Sequence, residues 1–396
     1  MTDLYWDPFS PELRDDPYPL WKRLRDESPV YYNDRLDFWA LTRFADIEQA
    51  HKDVEVFSSS HGTTLESMTP EPSETGLIIF MDPPKHTILR RLISRAFTTR
   101  RVSMLEDRIR SVCSDLLDPH LGAGRFDYVQ DFSAILPPTI ISFLLGVPEA
   151  DQERLRHVVD NVFATDETGP GMTGEIAQQA ILELLEYLGG QFRERRAHPR
   201  DDMFTELMQA EITDETGEVR RLTDDELVGF GILLFAAGSE TVARHLGWAA
   251  SVLPDYPDQR SELAKDFSLI PNAIDELLRL EPPSPVQGRW ITQDLSLHGV
   301  TIPANSRALL VTGSAGRDER RYEDPDVLDI HRKVDLHLTF GYGAHFCLGA
   351  ALARMEGRIG LEETFKRWPE WSVDRKNSEL LYTSTVRGPL RLAVYS

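Results

Sequence analysis

A run of about thirty residues, Thr223 to Leu253, places the strongest limit on how this chain can fold. Thr223-Asp-Asp-Glu226 has the form of a capping box, in which the Thr and Glu side chains satisfy the free N–H groups at a helix start. Pro254 closes the far end. At 1.5 Å per residue such a helix spans roughly 45 Å, the width of a whole domain. Its first half is apolar almost all round, so the helix is expected to be buried. It is not expected to cross a membrane. Ser239, Glu240, Arg244 and His245 interrupt the apolar run, and no unbroken stretch of about 18 apolar residues is seen.

Helical spacing recurs elsewhere. Pro17–Glu27, Ile88–Leu117, Gln178–Arg196, Leu263–Leu280 and Gly349–Trp368 all place apolar residues three and four apart, and Pro369 stops the last run. Strand-like stretches, rich in β-branched and aromatic residues, are fewer: Asp37–Thr42, Arg289–Leu297, Arg307–Thr312 and Tyr382–Val394. The expected class is mainly α, an α+β fold with a helix-rich body and a minor β region. There is no internal repeat and no Gly/Ser/Pro-rich linker, so residues 1–396 read as one domain. The polar, turn-rich stretch His61–Thr75 reads as one long loop.

The formal net charge of −22 repels phosphate backbones, which argues against a nucleic-acid partner and for a soluble monomer. Two cysteines do not make a disulfide framework. With no signal peptide visible, the expected location is cytoplasmic.

Those two cysteines differ in setting. Cys113 lies among Ile109, Val112 and Leu116 and reads as buried filler. Cys347 lies in Phe340-Gly-Tyr-Gly-Ala-His-Phe-Cys-Leu-Gly349, a stiff glycine-rich loop that leads into a helix. Gly341, Gly343 and Gly349 permit tight turns and close approach to a flat cofactor. The N–H groups at the start of that helix would stabilise a sulfur anion.

With its Phe-x-x-Gly-x-x-x-Cys-x-Gly pattern, this loop resembles the haem-ligand signature of the cytochrome P450 family. Glu276-Leu-Leu-Arg279, about 70 residues earlier, resembles the family's Glu-x-x-Arg pair, and Arg332 stands where its third member belongs. Ala237-Gly238-Ser239-Glu240-Thr241 resembles the oxygen-binding groove of the long helix. His86 and Arg90, Arg289, and His345 resemble the four positions that bind haem propionates.

The resemblance implies haem b, iron protoporphyrin IX, held by Cys347 as metal ligand, with Phe340, Gly341, Gly349, Ala237 and Gly238 also against the cofactor. It implies Thr241 and Glu240 as the groups that deliver protons, with Glu240 connecting the site to solvent. Substrate contacts are expected from the 61–80 loop with Phe80, from Leu233, Leu234, Ala237 and Val286, and from the Tyr382–Val386 turn with Val386. The implied reaction inserts one oxygen atom from O2 into an apolar small molecule, most simply by hydroxylation. Electrons would come from a separate ferredoxin or flavodoxin-like donor with its NAD(P)H-dependent reductase. That donor is expected to dock at a local basic patch carrying Arg90, Arg91 and Arg354. Two rivals are weighed: a haem-thiolate sensor, which would not need Glu240 and Thr241, and a peroxide-driven enzyme, which commonly alters that pair.

Overall fold

A computed structural model describes residues 4–10, 13, 15–95, 97–164 and 173–395. The helices follow in chain order as α1 (Tyr18–Glu27), α2 (Phe44–Lys52), α3 (Lys85–Ser94), α4 (Thr99–Ser103), α5 (Glu106–Leu117), α6 (Leu136–Leu145) and α7 (Glu149–Val162). Then come α8 (Glu175–Ala197), α9 (Met203–Gln209), α10 (Asp224–Val252), α11 (Pro257–Lys265), α12 (Ile270–Leu280), α13 (Thr312–Ala315) and α14 (Ala350–Arg367). With 52% helix and 13% strand, the fold is mainly α with a minor β region.

The capping box forms at the start of α10. Thr223 Oγ1 accepts from the Glu226 N–H at 3.2 Å, and Glu226 Oε2 accepts from the Thr223 N–H at 2.9 Å. Packing then decides the rest. α10 runs through the body against α6, α8, α12 and α14, and its Phe230, Phe235 and Leu246 are almost fully buried. By length and composition this helix could cross a bilayer, contrary to the reading of its interrupted apolar run. However, 61% of its most apolar window is buried inside the protein, as expected for a core helix.

Two expected helices are broken. The run Ile88–Leu117 divides into α3, α4 and α5, and Thr98 caps α4 by accepting from the Arg101 N–H. Leu263–Leu280 divides at a 3₁₀ turn, Phe267–Leu269, and Pro271 sits in the first turn of α12, where its missing N–H costs nothing. Helix α6 gave no clear periodic signal. Pro137 and Pro138 occupy its first turn, and it ends at Gly146, whose φ of +80° favours glycine.

The main sheet has the order Val30–Asn33, Phe38–Leu41, Ser306–Leu310, Gln287–Ile291, Phe57–Ser58. Its parallel pairing, Phe38–Leu41 with Ser306–Leu310, joins segments far apart in the chain. Alternation along these strands sends Leu41, Ile291, Ala308 and Leu310 into one core cluster. Ala40, Trp290 and Leu309 enter another, around Trp6 and Trp21. Arg289 lies on an interior strand opposite Ala308, which fixes its backbone rigidly. The stretch His61–Thr75 carries no helix or strand, as expected.

Candidate functional site

Gly341 and Gly343 have φ of +68° and +67°, the left-handed region that a side chain disfavours. A Cβ on Gly343 would also lie 2.7 Å from the His51 carbonyl oxygen, so the last turn of α2 clamps the loop. The Cys347 N–H donates to the Phe340 carbonyl at 2.8 Å, closing the loop on itself. Burial pushes the Cys347 thiol up. The Gly349 and Ala350 N–H groups, which the sulfur accepts, and the nearby Arg90 and Arg354 oppose that. The residue is nonetheless accessible, unlike Cys113. A sulfur that is surrounded by protein yet accessible faces an internal space.

Four further side chains converge beside this loop. The His86 and His345 rings lie 4.1 Å apart, centre to centre. Arg289, buried, donates to its neighbour's carbonyl at Gly288. Arg90 donates to the Phe346 carbonyl of the cysteine loop. Burial drives the His345 imidazole down to about 2, and Arg289, His86, Arg90 and His51 add to the shift. His86 is driven down to about 4 and Arg289 to about 10, burial being the first cause of each. The carboxylate acting on both His86 and Arg289 is Asp82, whose oxygens already accept from Ser58 and Ser59. Nδ1 of His86 and Nε2 of His345 have no hydrogen-bond partner. A buried set of donors so poor in acceptors fits a ligand that carries carboxylates. The propionates of haem meet that requirement, and an accessible thiol held by N–H groups suits its iron.

The α10 segment departs from expectation at Glu240. Thr241 Oγ1 donates to the Ala237 carbonyl at 2.8 Å, and Ala237 is exposed although it lies in the middle of a core helix. These two therefore face open space. A Cβ on Gly238 would lie 2.9 Å from Ile141 of α6, so its missing side chain lets the two helices pack closely. The helix is regular α through this stretch. Glu240 is buried, and its Oε1 accepts from Arg244 Nε at 2.7 Å, while Arg244 also donates to the Pro389 carbonyl. The carboxylate is thus tied inward by the residue one turn on, rather than open to solvent.

Two groups were missed by sequence reasoning. Asp160 of α7 pairs with Arg156 at 3.1 Å and lies within electrostatic range of Glu240 and Arg244; its carboxyl is raised to about 6, by burial first, although the side chain is 41% exposed. His51 shares the inward face of α2 with Phe44 and Ile47. That register, a histidine four and seven residues beyond apolar neighbours, was the only available signal.

Among the expected substrate contacts, Phe80 and Leu233 are partly buried and Ala237 is exposed. Leu234, Val286 and Val386 are buried. Leu234 belongs to the helical core and Val286 to the cluster around Trp6 and Trp21. Of the expected docking patch, Arg354 keeps its side chain 39% exposed; its Nε donates to Asp275 at 2.7 Å and its guanidinium lies 4.5 Å from the Phe340 ring centre, so it also braces the loop. Arg91 is exposed. Glu276, Arg279 and Arg332 meet as expected, with both Arg279 contacts at 2.7 Å and Arg332 at 3.1 Å. Gly349 has room: a Cβ there would meet nothing within 4 Å.

Comparison with known proteins is consistent with this geometry. The family model described as "Cytochrome P450" matches residues 37–388. The chain is 36% identical over 395 residues to a putative cytochrome P450 123 of Mycobacterium tuberculosis, covering 99% of this chain and 97% of that one. It is 35% identical to the vitamin D(3) 25-hydroxylase of Pseudonocardia autotrophica, covering 98% and 96%. The crystal structure of CYP109E1 from Bacillus megaterium with testosterone superposes with a TM-score of 0.86 at 30% identity, covering 98% and 99%.

Proposed function

Since the chain belongs to the cytochrome P450 family, whose members bind haem and act as monooxygenases, we propose that Cys347 is its iron ligand and that Thr241 and Glu240 handle the protons. The observation that carries this reading is the accessible Cys347 sulfur, held by the Gly349 and Ala350 N–H groups at the start of α14. When bound through a thiolate, haem supplies the oxygen-activating chemistry. His86, Arg289, His345 and Arg90 would hold its carboxylates, and Phe340 and Gly341 would support the loop beneath it. Gly349 leaves that face clear of side-chain bulk.

The protein's own contribution is orientation and proton traffic. The Thr241 hydroxyl, which donates to the Ala237 carbonyl, can swing to hold a proton toward the open face of α10. Glu240 would receive and return protons, but only by exchanging its contact with Arg244. Asp160 is the titratable acid that shares the field of that pair. The substrate is an apolar small molecule that meets Phe80, Leu233 and Ala237. Hydroxylation is the simplest outcome. Electrons would come from a separate ferredoxin or flavodoxin-like protein docking near α3, where Arg91 is exposed and Arg90 touches the loop.

The reduced protein under carbon monoxide tests the central assignment. The strongly red-shifted Soret band of thiolate-ligated haem should appear, survive Cys113→Ala and vanish in Cys347→Ala. If that band persists in Cys347→Ala, the assignment is wrong.

A further inference from the structure

His51 ends α2 and points inward, only 4% exposed. Neither ring nitrogen has a hydrogen-bond partner. An imidazole always carries at least one N–H, so a buried one without an acceptor is costly. The structure shows where that acceptor must come from. The ring lies beside Gly341, its Cε1 being 3.8 Å from where a Cβ would stand. Its field reaches both Arg289 and His345. The charged neighbour that shifts it, Arg289, is a cation, and burial with Arg289 drives its pKa down to about 3. Its other titratable neighbour, His345, is also a donor without a partner at Nε2. Among the described residues no protein acceptor serves this ring, and the donors around it are those already matched to haem carboxylates.

From the juxtaposition of His51 with Arg289, His345 and the Gly341 turn, we propose that His51 donates a hydrogen bond to a haem propionate, as a fifth member of the carboxylate-binding set. This rests on the haem-thiolate reading. The ring comes from α2. It couples the main sheet's neighbour α2 to the haem edge, while the α2 backbone clamps Gly343. His51 is thus a positioning residue for the cofactor.

The test compares haem loss to excess apomyoglobin for the holoprotein and its variants, each loaded with haem b or with haem dimethyl ester. His51→Phe fills the buried space without a donor. It should release haem b about 10-fold faster, the order expected for a hydrogen bond to a charged acceptor. His51→Gln, which keeps an N–H donor, should restore most of the retention. With the ester, whose uncharged carbonyl is a weaker acceptor than a carboxylate, the difference between wild type and His51→Phe should shrink. Equal loss of haem b from wild type and His51→Phe would overturn the proposal. So would an undiminished difference on the ester, which would assign His51 to packing alone. If His51→Phe does not fold, His51→Asn, whose shorter amide falls short, carries the same comparison against His51→Gln. Absence of the thiolate-type carbon monoxide band in wild type would instead refute the underlying haem-thiolate reading.

Discussion

Replacing Glu276 by Gln removes one charge from the network beneath the cysteine loop, and the structure gives the size of the effect. Glu276 is fully buried. Its oxygens accept from Arg279 Nε and Nη2 at 2.7 Å each, and from Arg332 Nε and the Asp329 N–H at 3.1 Å each. Arg279, equally buried, also donates to the carbonyls of Gly316 and Pro325 at 2.6 and 2.7 Å. Gln keeps the volume but turns an NH2 toward a guanidinium and leaves Arg279 without its counter-charge. Breaking a buried pair in this way costs about 3–5 kcal/mol. Arg332 is less buried and keeps contacts to the Glu323 and Asp324 carbonyls, so Glu276 is the more costly member to lose. Unfolding entropy grows with chain length, at about 2.1 cal/mol/K per residue. For 396 residues, the same loss lowers Tm by only about 4–6 °C. The sensitive assay is therefore urea unfolding followed by far-UV circular dichroism, where the midpoint should fall with little change in slope. A loss below about 1 kcal/mol would refute the claim that this carboxylate neutralises a buried charge.

Three other perturbations follow from the same geometry. Thr241→Ala should keep haem and substrate binding, but product formed per NAD(P)H consumed should fall by at least about half, since a proton-handling group is lost; an unchanged ratio removes Thr241 from the reaction. Gly343→Ala should cost about 1–3 kcal/mol, because it meets both a φ of +67° and the His51 carbonyl, whereas Gly349→Ala should stay within about 0.5 kcal/mol. Equal losses in urea unfolding would contradict that contrast. The Asp160 carboxyl, raised to about 6, gives stability that is fully present below about pH 4 and lost as pH rises through 6, because the folded state keeps a proton that the unfolded chain has released. The side chain is 41% exposed and pairs with Arg156 at 3.1 Å, so solvent screening keeps the effect small: the stability of Asp160→Asn relative to wild type should rise between pH 4 and pH 8, and a gap independent of pH would sink the assignment.

What the sequence by itself determined was local. The capping box of α10 depends on residues three apart, as does the Glu276–Arg279 pair, and both form as expected. The turns of the cysteine loop depend on glycines at left-handed positions, which the spacing displays directly. Tertiary structure decided the partners of groups far apart in the chain. Gly238 is small because Ile141 of α6 presses on it. Arg354, expected at a docking face, is also held by Asp275 and the Phe340 ring. Glu240 has Arg244 one turn along, but whether that pair closes or opens toward solvent depends on its burial and on the Pro389 carbonyl that also holds Arg244. His51 joins the carboxylate-binding set only because α2 packs its last turn against a loop some 290 residues later. Periodicity shows which face of a helix turns inward. It does not show what that face meets, because burial and charge pairing are settled between elements whose approach no local pattern encodes.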